Sequence, residues 1–131
     1  MIKVAIVGYG NIGKYAVDAL RAAPDMELAG IVRRPGSEPV HGIKTASSME
    51  DLGHVDAALL CTPTRSVEET ALPLLARGIN TVDSFDIHTQ IWELHCALDK
   101  AAKVTGAVSV ISAGWDPGSD SVVRTLLEAC A

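Results

Sequence analysis

Three glycines, Gly8, Gly10 and Gly13, stand in the order Gly-x-Gly-x-x-Gly within Val7-Gly8-Tyr9-Gly10-Asn11-Ile12-Gly13. That spacing serves a phosphate group only where it joins a strand to a helix. Here the β-branched run Ile2 to Val7 precedes it, and Ile12, Tyr15, Ala16, Ala19 and Leu20 follow at helical spacing. Gly8 then permits a tight turn. Gly10 lets the backbone approach an anion with no Cβ in the way, and Gly13 lets helix and strand pack closely. The amides at the helix start face the anion. The chemistry expected is pyrophosphate binding by a dinucleotide fold; the bland alternative is a glycine-rich turn that holds no nucleotide.

The end of the second strand discriminates between cofactors. An NAD-selective fold places Asp or Glu there, to bond the ribose 2′-hydroxyl. This chain reads Val32-Arg33-Arg34-Pro35-Gly36, with no carboxylate at the strand end. Two guanidiniums suit a 2′-phosphate, which accepts paired, charge-assisted bonds. The expectation is NADP rather than NAD, against the alternative that Arg33 and Arg34 are solvated loop charges.

Other reactive side chains have plain structural readings. Asp83 fits a loop brace. Asp86 fits a cap on a helix beginning at Ile87. Asp116 before Pro117-Gly118 fits a turn. Trp115 fits packing or a ligand wall. His88 reads as a structural partner, and His41, His54 and His95 lack metal-ligand spacing; no metal is expected. Cys61, Cys96 and Cys130 are far apart and odd in number, which fits reduced thiols in a cytoplasmic protein.

These groups need a scaffold, and the chain supplies repeated strand and helix signals. Strands are expected at 2–7, 27–32, 43–46, 56–61, 79–82 and 107–112. Helices are expected at 11–23, from Ser47 or Ser48 to Leu52, from Ser66 to Arg77 with Glu69 in a capping box, at 87–104 up to Gly106, and at 119–129 with Ser119 as cap. Arg34 to Gly42 reads as a loop. The alternation predicts an α/β fold: a doubly wound, mostly parallel sheet with helices on both faces. Ligands then bind at the carboxyl ends of the strands, in the loops at 8–13, 33–36, 62–65, 83–88 and 113–118.

The 131 residues suffice for one domain with its own core, and 48% are hydrophobic while only 4% are aromatic. The net charge of −5 argues against a general nucleic-acid binder. No apolar run reaches about 18 residues, so no transmembrane helix is expected, and Met1-Ile2-Lys3-Val4 enters a strand with no signal-peptide pattern.

Several segments together resemble the meso-diaminopimelate dehydrogenase family. They are the glycine segment, Cys61-Thr62-Pro63-Thr64-Arg65-Ser66-Val67, Val82-Asp83-Ser84-Phe85-Asp86-Ile87-His88 and Ser112-Ala113-Gly114-Trp115-Asp116-Pro117-Gly118. The likeness runs through the chain in order. It implies NADP-dependent oxidative deamination of the D-centre of meso-2,6-diaminopimelate, giving L-2-amino-6-oxopimelate and ammonia. The reverse reductive amination feeds lysine and cell-wall synthesis, and the family's enzymes are homodimers.

By the same resemblance, Gly8, Tyr9, Gly10, Asn11, Ile12 and Gly13 hold the pyrophosphate, and Arg33 and Arg34 the 2′-phosphate. Cys61, Thr62, Pro63 and Thr64 line the nicotinamide. Asp86 and Asp116 meet the D-centre amino group, as catalytic and substrate-binding groups, with Trp115 beside them. One position departs from the pattern: the residue four after Asp86, often acidic in the family, is Gln90. Arg65 is the best-placed anchor for a substrate carboxylate. The family's enzymes are much longer, so residues 1–131 are expected to be one dinucleotide-binding domain without the substrate and dimerisation lobe. Two other functions stay open: a related amino-acid or semialdehyde oxidoreductase, and a non-catalytic NADPH-binding module.

Overall fold

The computed structural model describes residues 1–114 and 118–130. Six strands form one sheet: β1 (Ile2–Val7), β2 (Met26–Val32), β3 (Thr45–Ala46), β4 (Ala57–Leu60), β5 (Asn80–Asp83) and β6 (Ser109–Val110). All pairings are parallel, and the strand order is β3-β2-β1-β4-β5-β6. Four α-helices accompany them: α1 (Asn11–Ala22), α2 (Val67–Leu75), α3 (Ile91–Thr105) and α4 (Ser119–Cys130).

The sheet is apolar on both faces because helices cover both. Val4 and Ile6 of β1 join Ile31 and the α1 residues Val17 and Leu20 in one core cluster. Ala5, between them in sequence, faces the opposite cluster with Ala58 and Leu60 of β4, Leu74 and Leu75 of α2, and Leu98 of α3. The period-2 alternation of a strand thus feeds two cores at once, which explains why β1 and β4 read as continuous apolar runs. The doubly wound architecture expected from the sequence is present, and the order reverses between β1 and β4, the switch point where ligands bind in such folds.

Local differences have physical causes. Ile43 and Lys44 do not join β3; the Ile43 amide is taken by the Val40 carbonyl in a turn. Neither Ser47 nor Ser48 caps the next helix. Glu50–Leu52 is a single 3-10 turn preceded by Met49, and the Ser48 hydroxyl donates to the Asp51 carboxylate instead. Ser66 does not cap α2 with its side chain either. A 3-10 turn (Thr64–Ser66) runs straight into α2, so Ser66 has helical dihedrals and not the extended ones a capping side chain requires. Its carbonyl accepts the Thr70 hydroxyl at 2.6 Å.

The long helix begins at Ile91 and not Ile87, because His88–Gln90 forms a 3-10 turn first. Gly106 ends it with φ 75°. α4 includes Ser119 in its first turn. The carbonyl of Gly118 accepts the Val122 amide, so the cap position falls one residue earlier than expected.

Candidate functional site

The loops after β1 and β4 meet at the switch point. Gly8 has φ +94°, a conformation that L side chains rarely adopt, and a Cβ built on it would lie 2.5 Å from the Cys61 carbonyl oxygen. Gly13 is excluded from any larger residue by the Gly8 carbonyl, 2.4 Å from where its Cβ would stand. Those two glycines answer to the protein's own packing. Gly10 does not: its φ is −84°, and no atom of the described residues lies within 4 Å of its missing Cβ. A glycine that neither backbone strain nor packing demands, at the mouth of a phosphate-type loop, fits one purpose: leaving space for a ligand against the chain.

Gly10 is also the residue before α1. No side chain caps that helix, and its first turn holds no acidic residue. The first turns of α2, α3 and α4 carry Glu68 and Glu69, Glu93, and Asp120 respectively. The exposed amides of residues 11 and 12 therefore keep their positive end of the helix dipole for an anion.

Arg33 follows β2 on the other side of β1. Its amide donates to the Ala46 carbonyl at 2.9 Å. Its guanidinium lies over the Tyr9 ring, 5.8 Å from the centroid, and Nη1 donates to the Glu38 carbonyl. Arg34 is exposed, and no hydrogen bond or ion pair holds its side chain among the described residues. Together these groups fit a 2′-phosphorylated dinucleotide: a cradle a Cβ would fill, bare helix amides, and two guanidiniums in place of a ribose-binding carboxylate.

Cys61, Thr62, Pro63 and Thr64 form the β4 side of the crevice. Burial pushes the Cys61 thiol above its ordinary range, which favours the protonated form near neutrality. The Thr62 hydroxyl is buried with no hydrogen-bond partner among the described residues. The Thr64 hydroxyl accepts the Asp86 amide at 3.1 Å, which joins the β4 and β5 loops.

Asp86 is exposed, and Ile87, not Asp86, holds the cap position of the 3-10 turn that leads into α3, with no side-chain cap bond. Its structural alternative is thereby removed, and no described residue bonds its carboxylate. Arg65 and Gln90 line a cleft of about 220 Å³ beside this loop, together with Glu68 and Glu93. Trp115, Asp116 and Pro117 lie outside the described residues.

Asp83 was legible in the sequence only as a brace for its own loop. It is 2% exposed, and Oδ1 accepts the Phe85 amide at 2.9 Å and the Ser112 amide at 3.1 Å. Its carbonyl also accepts the Ala113 amide at 2.7 Å. One residue therefore fixes the segment leading to Asp86 and the segment leading to Trp115 and Asp116. Ser112 sits at φ 55°, the single non-glycine residue with positive φ among those described. Such strain persists only where neighbours hold it.

Among the described residues, no group of three or more His, Cys, Asp and Glu side chains is placed to hold a metal ion, and no helix is long and apolar enough to cross a membrane. The three cysteines are free, with Cys96 and Cys130 exposed.

Residues 2–110 match the oxidoreductase family described by its NAD-binding Rossmann fold. A meso-diaminopimelate D-dehydrogenase of Bacteroides fragilis is 59% identical, across 99% of this chain and 45% of its own length. Among solved structures, an engineered D-amino acid dehydrogenase bound to NADP+ superposes with a TM-score of 0.85 at 32% identity, covering 98% of this chain and 41% of that one. The C. glutamicum DAP dehydrogenase in complex with DAP superposes equally well, with the same TM-score of 0.85, identity of 32% and coverages of 98% and 41%. The chain thus spans less than half the length of the relatives it matches.

Proposed function

This chain belongs to the oxidoreductase family with an NAD-binding Rossmann fold, and from that premise we propose that it is the cofactor-holding part of an NADP-dependent meso-2,6-diaminopimelate dehydrogenase. The observation that carries the reading is the high identity to the B. fragilis dehydrogenase along nearly the whole chain. The local geometry supports it. Gly8, Gly10 and Gly13 with the α1 amides cradle the pyrophosphate, while Tyr9, Asn11 and Ile12 complete that loop. Arg33 and Arg34 take the 2′-phosphate, and Cys61 to Thr64 line the nicotinamide.

NADP, when bound, supplies a hydride acceptor for the D-centre Cα. The residues of this chain do the rest. Asp86 and Asp116 bind the ammonium and set Cα in reach, with Trp115 as a wall. The nitrogen must lose a proton before hydride leaves, and a carboxylate, or water held by one, accepts it. Water then adds to the substrate imine, and ammonia departs. Asp83 acts at one remove, by fixing the two loops that present these groups.

Residues 1–131 form one dinucleotide-binding unit in this reading. The distal L-centre and the partner of a cytoplasmic homodimer are met by a further lobe, for which the longer relatives have the chain length. Val122, Val123, Leu126 and Leu127 of α4 are 49–66% exposed, an apolar face of the kind such a lobe covers. Titration of NADPH against the Arg33→Ala/Arg34→Ala double variant tests the cofactor assignment. A loss of at least about tenfold in affinity is expected for two charge-assisted contacts; unchanged affinity sinks the assignment to NADP.

A further inference from the structure

The two arginines after β2 are not equivalent. The Arg34 side chain is exposed and bonded by no described residue, whereas Arg33 is fixed at its amide by Ala46 and at Nη1 by Glu38, and its guanidinium carbon lies over the Tyr9 ring, 5.8 Å from the centroid. Tyr9 itself is partly buried and packs against the cluster of Val4, Ile6 and Ile31 that forms the α1 face of the sheet. Its position between Gly8 and Gly10 places it inside the phosphate loop, yet its side chain reaches toward the end of β2.

We propose that Tyr9 is a positioning residue for cofactor selectivity: it holds the Arg33 guanidinium ready for the 2′-phosphate, and so favours NADPH over NADH. This rests on the NADP reading above and extends it from the arginines to the residue that orders one of them. A long arginine side chain loses rotamer freedom when it grips a phosphate. A ring already beneath the guanidinium, with one N–H already committed to a carbonyl, removes part of that loss before the cofactor arrives. The ring's negative face also favours the cation directly. The cation–π contact uses none of the guanidinium N–H groups, so those not bonded to Glu38 are left for a phosphate to bind pairwise.

A purely structural role predicts something different. If Tyr9 only filled space beside the core, its loss would distort the loop that carries the pyrophosphate, and NADPH and NADH would weaken alike. The ratio of the two affinities separates the roles.

The experiment titrates NADPH and NADH into this chain for the wild type, Tyr9→Phe, Tyr9→Leu, Tyr9→Met, Arg33→Ala and Tyr9→Leu/Arg33→Ala. The NADPH-to-NADH affinity ratio is expected to fall about three- to fivefold in Tyr9→Leu and Tyr9→Met, the worth of one cation–π contact. Tyr9→Phe, which keeps the ring, restores it. In the Arg33→Ala background, Tyr9→Leu changes the ratio no further. If one aliphatic variant does not fold, the other carries the comparison. An unchanged ratio in the folded aliphatic variant, with Arg33→Ala lowering it, overturns the role of Tyr9 and leaves the NADP reading standing. A wild type with no preference for NADPH overturns both.

Discussion

The Asp83 carboxylate accepts the Ser112 amide at 3.1 Å, across a separation of 29 residues. This bond holds a serine at φ 55° beside the loop that continues to Trp115 and Asp116. The same oxygen accepts the Phe85 amide. Asp83→Ala leaves both amides without their acceptor in a site that is 2% exposed. We expect a loss of about 2–4 kcal/mol in chemical denaturation, the cost of two unmet donors at a charged acceptor. Asp83→Asn keeps an acceptor oxygen and is expected to lose less than half as much. Equal losses for the two variants would show that charge, and not the bonding pattern, is what Asp83 supplies.

Gly8 and Gly10 separate stability from binding. Gly8→Ala places a Cβ 2.5 Å from the Cys61 carbonyl at a φ of +94°. About 3 kcal/mol or more of destabilisation is expected from combined strain and overlap. Gly10→Ala meets no atom of the described residues and costs less than about 1 kcal/mol as a helix-cap change. Its NADPH affinity nevertheless falls by at least about tenfold, since the new methyl occupies the pyrophosphate's place. Thermal melts and cofactor titrations on both variants check the pattern; a Gly10→Ala protein that binds NADPH normally refutes the role of that glycine.

Sequence alone carried much of this far. The apolar β1 run, the glycine spacing and the helix that follows are local signals, and the strand-helix repeats imply parallel pairing; the strand order β3-β2-β1-β4-β5-β6 comes from tertiary pairing that no local signal marks. The start of α3 was misplaced by four residues, because the 3-10 turn His88–Gln90 has no composition of its own to mark it. Ser66 was misread as a side-chain cap for the same reason. The Arg33–Tyr9 cation–π contact and the bond from Asp83 to Ser112 pair residues from different strand ends, and only tertiary register brings them together. Asp86 is ambiguous in sequence between cap and ligand group; the cap position falls at Ile87 instead, which removes the first possibility.

Asp56 anchors the opposite end of the sheet. Its carboxylate accepts the Lys3 amide at 2.7 Å and pairs with His54, and it titrates below its usual value, chiefly because of the Lys3 bond. A carboxyl lowered in the folded state stabilises the fold above its unfolded value of 3.8. That contribution fades as pH falls through the lower folded value. Urea midpoints of the wild type are therefore expected to drop more between pH 5 and pH 3 than those of Asp56→Asn, in the range where carboxyls titrate (about pH 4). Parallel curves for the two proteins would remove Asp56 from the acid limb.

The three thiols should react in a definite order. Cys96 and Cys130 are exposed, whereas burial raises Cys61 and keeps it protonated. Iodoacetamide at neutral pH is expected to modify two sites quickly and Cys61 at least about tenfold more slowly, by peptide mass mapping. Bound NADPH should slow Cys61 further, as it lines the crevice. Fast modification of Cys61 would contradict its reading as a half-buried wall of the crevice.

The most direct test of the account is a deamination assay. The chain is assayed alone and fused to the remaining part of the B. fragilis relative, with NADP and the meso, L,L and D,D isomers of diaminopimelate. The account predicts reduced cofactor and ammonia from the fusion with the meso isomer and none with the L,L isomer, while the 131-residue chain binds NADPH but turns over little or nothing. A fusion that binds NADPH yet leaves meso-diaminopimelate unoxidised, or robust deamination by the short chain alone, would contradict it.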